Sequence, residues 1–195
     1  MGRPKFTSYK DYMIWRLDER VRTVTAKANR IKENYIKNLP GSDGGSEEDR
    51  QWLDQFARGI GFDIACGDFL IGDVVQALGV DGAPKMLGTD YWSEGDDLSF
   101  QPADTLDYIV TNYLDGMPAP LKALSEWRRC IKPGGTIAVV CRDAEVYNSP
   151  MGALENARRQ SCYTATTLKN YLYRAGFKKV KIEKGNNSLR GQGIK

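Results

Sequence analysis

The stretch Ile60-Gly61-Phe62-Asp63-Ile64-Ala65-Cys66-Gly67-Asp68-Phe69 constrains this chain more than any other. A short apolar run holding one acid enters a glycine turn, and Ile71, Val74, Val75 and Leu78 then recur at helical steps. That pattern opens a β-α-β unit, which aims backbone N–H groups and a helix N-terminus at a ligand. A second strand is expected at Lys85-Met86-Leu87-Gly88-Thr89, closing on Asp90. It lies about twenty residues beyond the turn, the distance at which an acid reaches the two hydroxyls of a ribose. The first expectation is therefore a nucleoside-containing ligand.

The rest of the chain alternates strands with helices, which predicts an α/β fold: a doubly wound, mostly parallel sheet with helices on both faces. Residues 7–39 carry a helical apolar pattern ended by Pro40-Gly41, and Gly41-Ser42-Asp43-Gly44-Gly45-Ser46 reads as a flexible link. This divides the chain into a helical extension, 1–45, and a ligand-binding domain, 46–195. Ser46 caps an acid-rich helix whose inner face is Trp52, Leu53 and Phe56. Leu106–Thr111 is a strand, Leu121–Cys130 a helix introduced by prolines, Lys132-Pro133-Gly134-Gly135 a tight turn, and Thr136–Cys141 a strand buried on both faces. Thr164 caps a helix stopped by Gly176, and Phe177–Glu183 alternates like an antiparallel edge strand. The tail from Asn187 adds a short strand. Residues 91–106 leave no room for another helix and strand, so the sheet is expected to be one strand narrower at its third-strand edge.

Composition narrows the chemistry. The chain of 195 residues is 41% hydrophobic and 27% charged, which suits a globular domain with a real core. No apolar run approaches the ~20 residues of a membrane span, and no signal-peptide core follows the basic N-terminus. There is no histidine, which removes histidine-based nucleophilic catalysis and imidazole metal ligation. Cys66, Cys130, Cys141 and Cys162 match no zinc or redox spacing, so no metal site is assigned and buried thiols in a reducing cytoplasm are expected. The net charge of +3 hides a segregation: residues 1–40 carry +6, 41–127 carry −13 and 128–195 carry +10. A cationic cofactor suits the acidic middle, and an anionic partner such as nucleic acid suits the basic ends.

With these residues assembled, the chain resembles a class I (Rossmann-like) S-adenosylmethionine-dependent methyltransferase. Phe62–Asp68 is similar to the family's glycine-rich first motif, and Leu87-Gly88-Thr89-Asp90 to its ribose-binding strand end. Gly95–Phe100 resembles the adenine-side loop, and Leu106–Val110 the fourth strand. Glu126–Gly135 resembles the helix and "LKPGG" turn, and Arg174-Ala175-Gly176-Phe177 the late "AGF" turn. The resemblance spans roughly residues 50–184. Two departures stand out: Ala65 and Phe69 occupy positions where the family usually has glycine. Ala65 costs little only while its backbone keeps a negative φ, whereas Phe69 requires a reshaped turn. The shortened form is similar to small methyltransferases that act on saccharides or metabolites.

The resemblance implies S-adenosylmethionine as cofactor. Asp63 would hold its amino-acid end, backbone groups of Ala65, Cys66, Gly67 and Asp68 its carboxylate, and Asp90 with Tyr91 its ribose. Asp97 and Leu98 would flank the adenine, and loss of the Asp90 carboxylate is expected to weaken binding. On the acceptor side Asn112, Tyr113 and Asp115 follow the fourth strand, with Asn112 also within reach of the cofactor. Arg142, Asp143 and Tyr147 follow the fifth strand. Without histidine, Asp115, Asp143 or a tyrosine would serve as any base. Asn112-Tyr113-Leu114 lacks the Asp/Asn-Pro-Pro-Tyr pattern of enzymes that methylate base amines. Tyr9, Tyr12, Met13 and Trp15 form a candidate lid. The expected function is methyl transfer to a small-molecule or saccharide acceptor. The alternatives are transfer to nucleic acid or protein, and S-adenosylmethionine binding without catalysis. Gly-x-Gly-x-x-Gly is not present, which disfavours a nicotinamide oxidoreductase.

Overall fold

A computed structural model describes residues 46–66, 71, 77–82, 89–146 and 160–195. The expected helix over 7–39 with its candidate lid, and Gly67, Asp68, Phe69, Val74, Val75, residues 85–88 and Tyr147, lie outside them. The described residues fall within one compact unit, Gly44–Lys195. Seven strands build its sheet: β1 (Gly61–Ile64), β2 (Ala77–Asp81), β3 (Thr89–Trp92), β4 (Leu106–Thr111), β5 (Ile131–Arg142), β6 (Lys178–Lys184) and β7 (Ser188–Ile194). Their order is β3-β2-β1-β4-β5-β7-β6, parallel from β3 to β5. β7 runs antiparallel to both neighbours, which leaves β6 as the expected antiparallel edge. The α-helices among the described residues are α1 (Glu47–Asp54), α2 (Pro120–Cys130) and α3 (Ala165–Arg174).

Side chains alternate across the sheet as the pleat requires. On one face Phe62, Ile64, Ile109, Ile137 and Val139 pack with Leu124 and Trp127 of α2 and Leu168 and Leu172 of α3. On the other, Tyr108, Val110, Ala138 and Val140 meet Trp52 and Leu53 of α1 and Ala57 beyond it. Both faces are covered, so the central strands read as continuous apolar runs. The caps behave as the sequence predicts. Ser46 accepts from Asp49 N–H, and Thr164 forms a reciprocal capping box with Thr167. Asp49 anchors α1 to β7 by accepting from Ser188 Oγ at 2.8 Å and Arg190 Nε at 2.6 Å.

Three expectations are corrected. Leu78 is not on a helix but inside β2, because Ala77-Leu78-Gly79-Val80 is a short buried run that helical periodicity alone does not distinguish from a strand. The sheet also keeps its third strand. β3 is only four residues long and follows β2 after residues 82–88, a span shorter than parallel crossovers usually need. Finally, Lys132–Gly135 is not a separate turn but the first part of β5. Gly134, at φ +83°, bulges there, and its N–H donates to Lys195 O at 3.3 Å.

Among the described residues no helix is long and apolar enough to cross a membrane. Cys66, Cys130 and Cys141 are buried free thiols, as expected, while Cys162 is half-buried.

β1 and β4 approach closely at Gly61. A Cβ there would stand 2.5 Å from both the Tyr108 ring and the Tyr108 carbonyl oxygen. Gly61→Ala should therefore destabilise the fold by about 1–3 kcal/mol. Urea unfolding of the variant checks this, and unchanged stability would show that the strand pair can part without cost.

Candidate functional site

Strand order reverses between β1 and β4, and the crevice outside the carboxyl ends at such a point is where ligands bind in open parallel sheets. β1 brings Asp63 to this edge. Its side chain is 1% exposed, and its Oδ2 accepts from Ile71 N–H at 2.8 Å. Burial pushes the carboxyl up to about 8, against the pull of the Ile71 N–H and Arg50 and with a further push from Asp81. At neutral pH without ligand, Asp63 is thus mostly protonated. Ala65 follows at φ +56°, so the condition under which alanine is cheap there is not met. Its N–H donates to Val80 O at 2.6 Å, tying the turn to β2. Cys66 is buried beside it.

The element reading behind Asp90 does not hold. Asp90 lies within β3, and its Oδ2 accepts from Gly79 N–H at 2.8 Å, where the β2–β3 register shifts. The acid at the carboxyl end of β2 is Asp81, opposite Trp92 and close enough to Asp63 to influence its proton. Sequence reading missed Asp81 because it missed β2. Tyr91 belongs to an aromatic cluster on the α2 face, stacked on Phe100 at 4.7 Å and tilted against Phe62 at 5.8 Å.

Beyond β3, Glu94 sets its carboxylate beside Gly82, one residue past the end of β2. Gly95 is buried at φ +82°, and a Cβ there would stand 2.6 Å from Ile64 Cγ2. Glu94 thus lies by the end of β2, and Gly95 against the end of β1. Asp97 is exposed and accepts from Ser99 N–H at 3.0 Å, a local turn that holds its carboxyl below the usual range. Leu98 is fully buried in the core, its N–H donating to Glu126 and its carbonyl accepting from Arg129.

On the β4 and β5 side, Asn112 and Tyr113 are half-buried at the strand end, and Gly116 leaves the space that the Tyr113 ring fills. Asp115 is fully buried, with Oδ2 accepting from Arg142 N–H at 3.2 Å. Asp143 is also buried. Its Oδ1 accepts from Glu145 N–H at 3.0 Å, and its Oδ2 lies 3.5 Å from Lys184 Nζ. The structure thus brings Asp63, Ala65 and Cys66 to the same edge as Asn112 and Tyr113. Asp115 and Asp143 are buried in the loops that follow β4 and β5.

No protein-family model matches the sequence, and no curated protein matches it. Solved structures do. A SAM-dependent methyltransferase from Archaeoglobus fulgidus aligns with a TM-score of 0.61 at 14% identity, over 75% of this chain and 90% of its own. One from Mesorhizobium loti aligns with a TM-score of 0.60 at 16% identity, over 78% of this chain and 99% of its own. One from Thermotoga maritima covers 89% of this chain and 99% of its own, with a TM-score of 0.58 at 14% identity. The fold is that of the Rossmann-like SAM-dependent methyltransferases.

Two measurements check this geometry. Ala65→Gly relieves a left-handed alanine and should stabilise the protein by about 1 kcal/mol, read as a raised unfolding midpoint. Lower stability would place Ala65 at negative φ. Asp63 titrates near 3.8 when unfolded and near 8 when folded, so the folded chain keeps a proton that the unfolded chain has lost. Its contribution to stability therefore falls as pH rises across that window and levels off above it. The stability gain of Asp63→Asn over wild type should grow between about pH 5 and pH 8. A pH-independent difference would mean that Asp63 is not held neutral.

Proposed function

We propose that this chain is an S-adenosylmethionine-dependent methyltransferase acting on a small-molecule or saccharide acceptor. The observation that carries the reading is the grouping of Asp63, Asp81 and Glu94 with Gly82 and Gly95 around the β1 end of the crevice, in a fold shared with such enzymes. The group fits this donor set. Acids suit its ammonium and ribose hydroxyls.

In this reading Asp63 takes the ammonium and Asp81 the ribose in place of Asp90. Glu94 and Gly95 receive the adenine, and the first turn, with Ala65, Cys66, Gly67 and Asp68, meets the carboxylate. The cofactor supplies an already activated methyl group, so the protein chiefly positions the acceptor and excludes water. Asn112 and Tyr113 face that acceptor, while Asp115 and Asp143 hold their loops in place. A second reading, a nucleic-acid acceptor, draws on Lys178, Lys179 and Lys181, all exposed on the β6 edge. Binding that weakens steeply with salt would support it.

Calorimetric titration with S-adenosylmethionine and S-adenosylhomocysteine, with NADH as control, tests the proposal. Asp81→Asn should weaken both adenosyl ligands by roughly ten- to a hundredfold, as expected for loss of a charge-assisted hydrogen bond. Asp90→Ala should leave them nearly unchanged, and the reverse order would return the ribose to Asp90. Because the ligand ammonium stabilises ionised Asp63, binding near pH 7 should release a proton and give a buffer-dependent enthalpy. Absence of binding to either adenosyl ligand would sink the enzyme reading and leave only the fold.

A further inference from the structure

Residues 93–105, between β3 and β4, contain neither helix nor strand, yet Gly95 touches the end of β1 at the crevice. An irregular segment of that length needs an outside frame to keep one shape. The frame is α2. Lys122, Glu126 and Arg129 recur at four- and three-residue steps, so they share one face of the helix, and all three reach the segment. Lys122 Nζ meets Asp96 Oδ2 at 3.0 Å. Glu126 Oε1 accepts from Leu98 N–H at 3.3 Å and also binds Arg129 Nη2 at 2.7 Å. Arg129 donates to Leu98 O and to Gln101 O, each at 2.9 Å. From the adjoining buried face, Trp127 Nε1 donates to Gly95 O at 2.6 Å. Gly95 is then enclosed on three sides, because a Cβ on it would also stand 3.3 Å from Met117 Sδ.

We infer that Trp127 and Arg129 are positioning residues for base recognition: Trp127 holds Gly95 and Arg129 holds Leu98 and Gln101, so together they fix the segment that carries Glu94 and Gly95 and set the wall that selects adenine. This rests on the S-adenosylmethionine reading above. Neither side chain is placed against the ligand; each acts through the main chain of the segment. The same helix begins at Pro120, directly after the loop that carries Asn112 and Tyr113, so cofactor-side and acceptor-side loops lean on one element.

The test uses the full chain, titrated calorimetrically with S-adenosylhomocysteine and with S-inosylhomocysteine, which differ only in the base. Wild type should prefer the adenosyl ligand. Trp127→Phe, which leaves the Gly95 carbonyl without its donor, should weaken the adenosyl ligand about tenfold. It should hardly change the inosyl ligand, so selectivity falls by the same factor. Arg129→Lys, on the more exposed side of the helix, should act in the same direction and carries the test if Trp127→Phe fails to fold. Equal weakening of both ligands, or no change in either, would show that the bonds merely anchor a loop. Wild type that binds the adenosyl ligand without preference would also overturn the inference. Wild type that binds neither ligand would remove the cofactor reading and this inference together.

Discussion

A carboxyl group stands in the middle of a strand that water does not reach. Gly61–Ile64 is buried along its whole length between β2 and β4, and Asp63 lies opposite Gly79 on one side and Val110 on the other. Burial disfavours its charge, and Ile71 N–H is the donor that meets its Oδ2. That bond, together with Ala65 N–H on Val80 O, ties both ends of the first turn to the sheet. Ala65 and Ile71 are thereby held at the point where strand order reverses. The same neutral acid is a latent partner for a cation, since an arriving ammonium offsets the desolvation that keeps its proton on.

The opposite wall of the crevice follows a different logic. Nothing regular connects β3 to β4, so that wall takes its shape from side chains of a helix that comes later in the chain. α2 gives its apolar stripe, Leu124 and Trp127, to the sheet and its polar line, Lys122, Glu126 and Arg129, to the segment beside it. Burying Trp127 while directing its Nε1 at Gly95 O joins the two tasks in one residue. A compact sheet can therefore keep this connection ordered without the extra helix that a longer crossover would supply.

Much of this was legible in the residues. Caps at Ser46 and Thr164, the proline-led start of α2 and the alternation of β6 each have a local chemical cause, and the structure follows them. The fold class was legible because strands and helices alternate. The first crossover was not. Val80 and Leu78 continue an apolar pattern begun at Ile71, and a four- or five-residue buried strand has no period of its own. Missing β2 left Asp81 unread and suggested a narrower sheet. Glu94's place beside Gly82 was not legible, because acids in an irregular loop look alike until the strand ends are known. The buried bonds of Asp115 to Arg142 N–H, and of Asp143 to Glu145 N–H and Lys184, were likewise not legible, because they join residues far apart in the chain or within a turn.

The most direct measurement of the central claim is a crystal structure of the full chain grown with saturating S-adenosylhomocysteine. The account predicts ligand density in the crevice between β1 and β4, with the ribose hydroxyls on Asp81, the ammonium beside Asp63 and the base against Glu94 and Gly95. Density at another edge of the sheet, or a ribose held by Asp90 with Asp81 turned away, would contradict it.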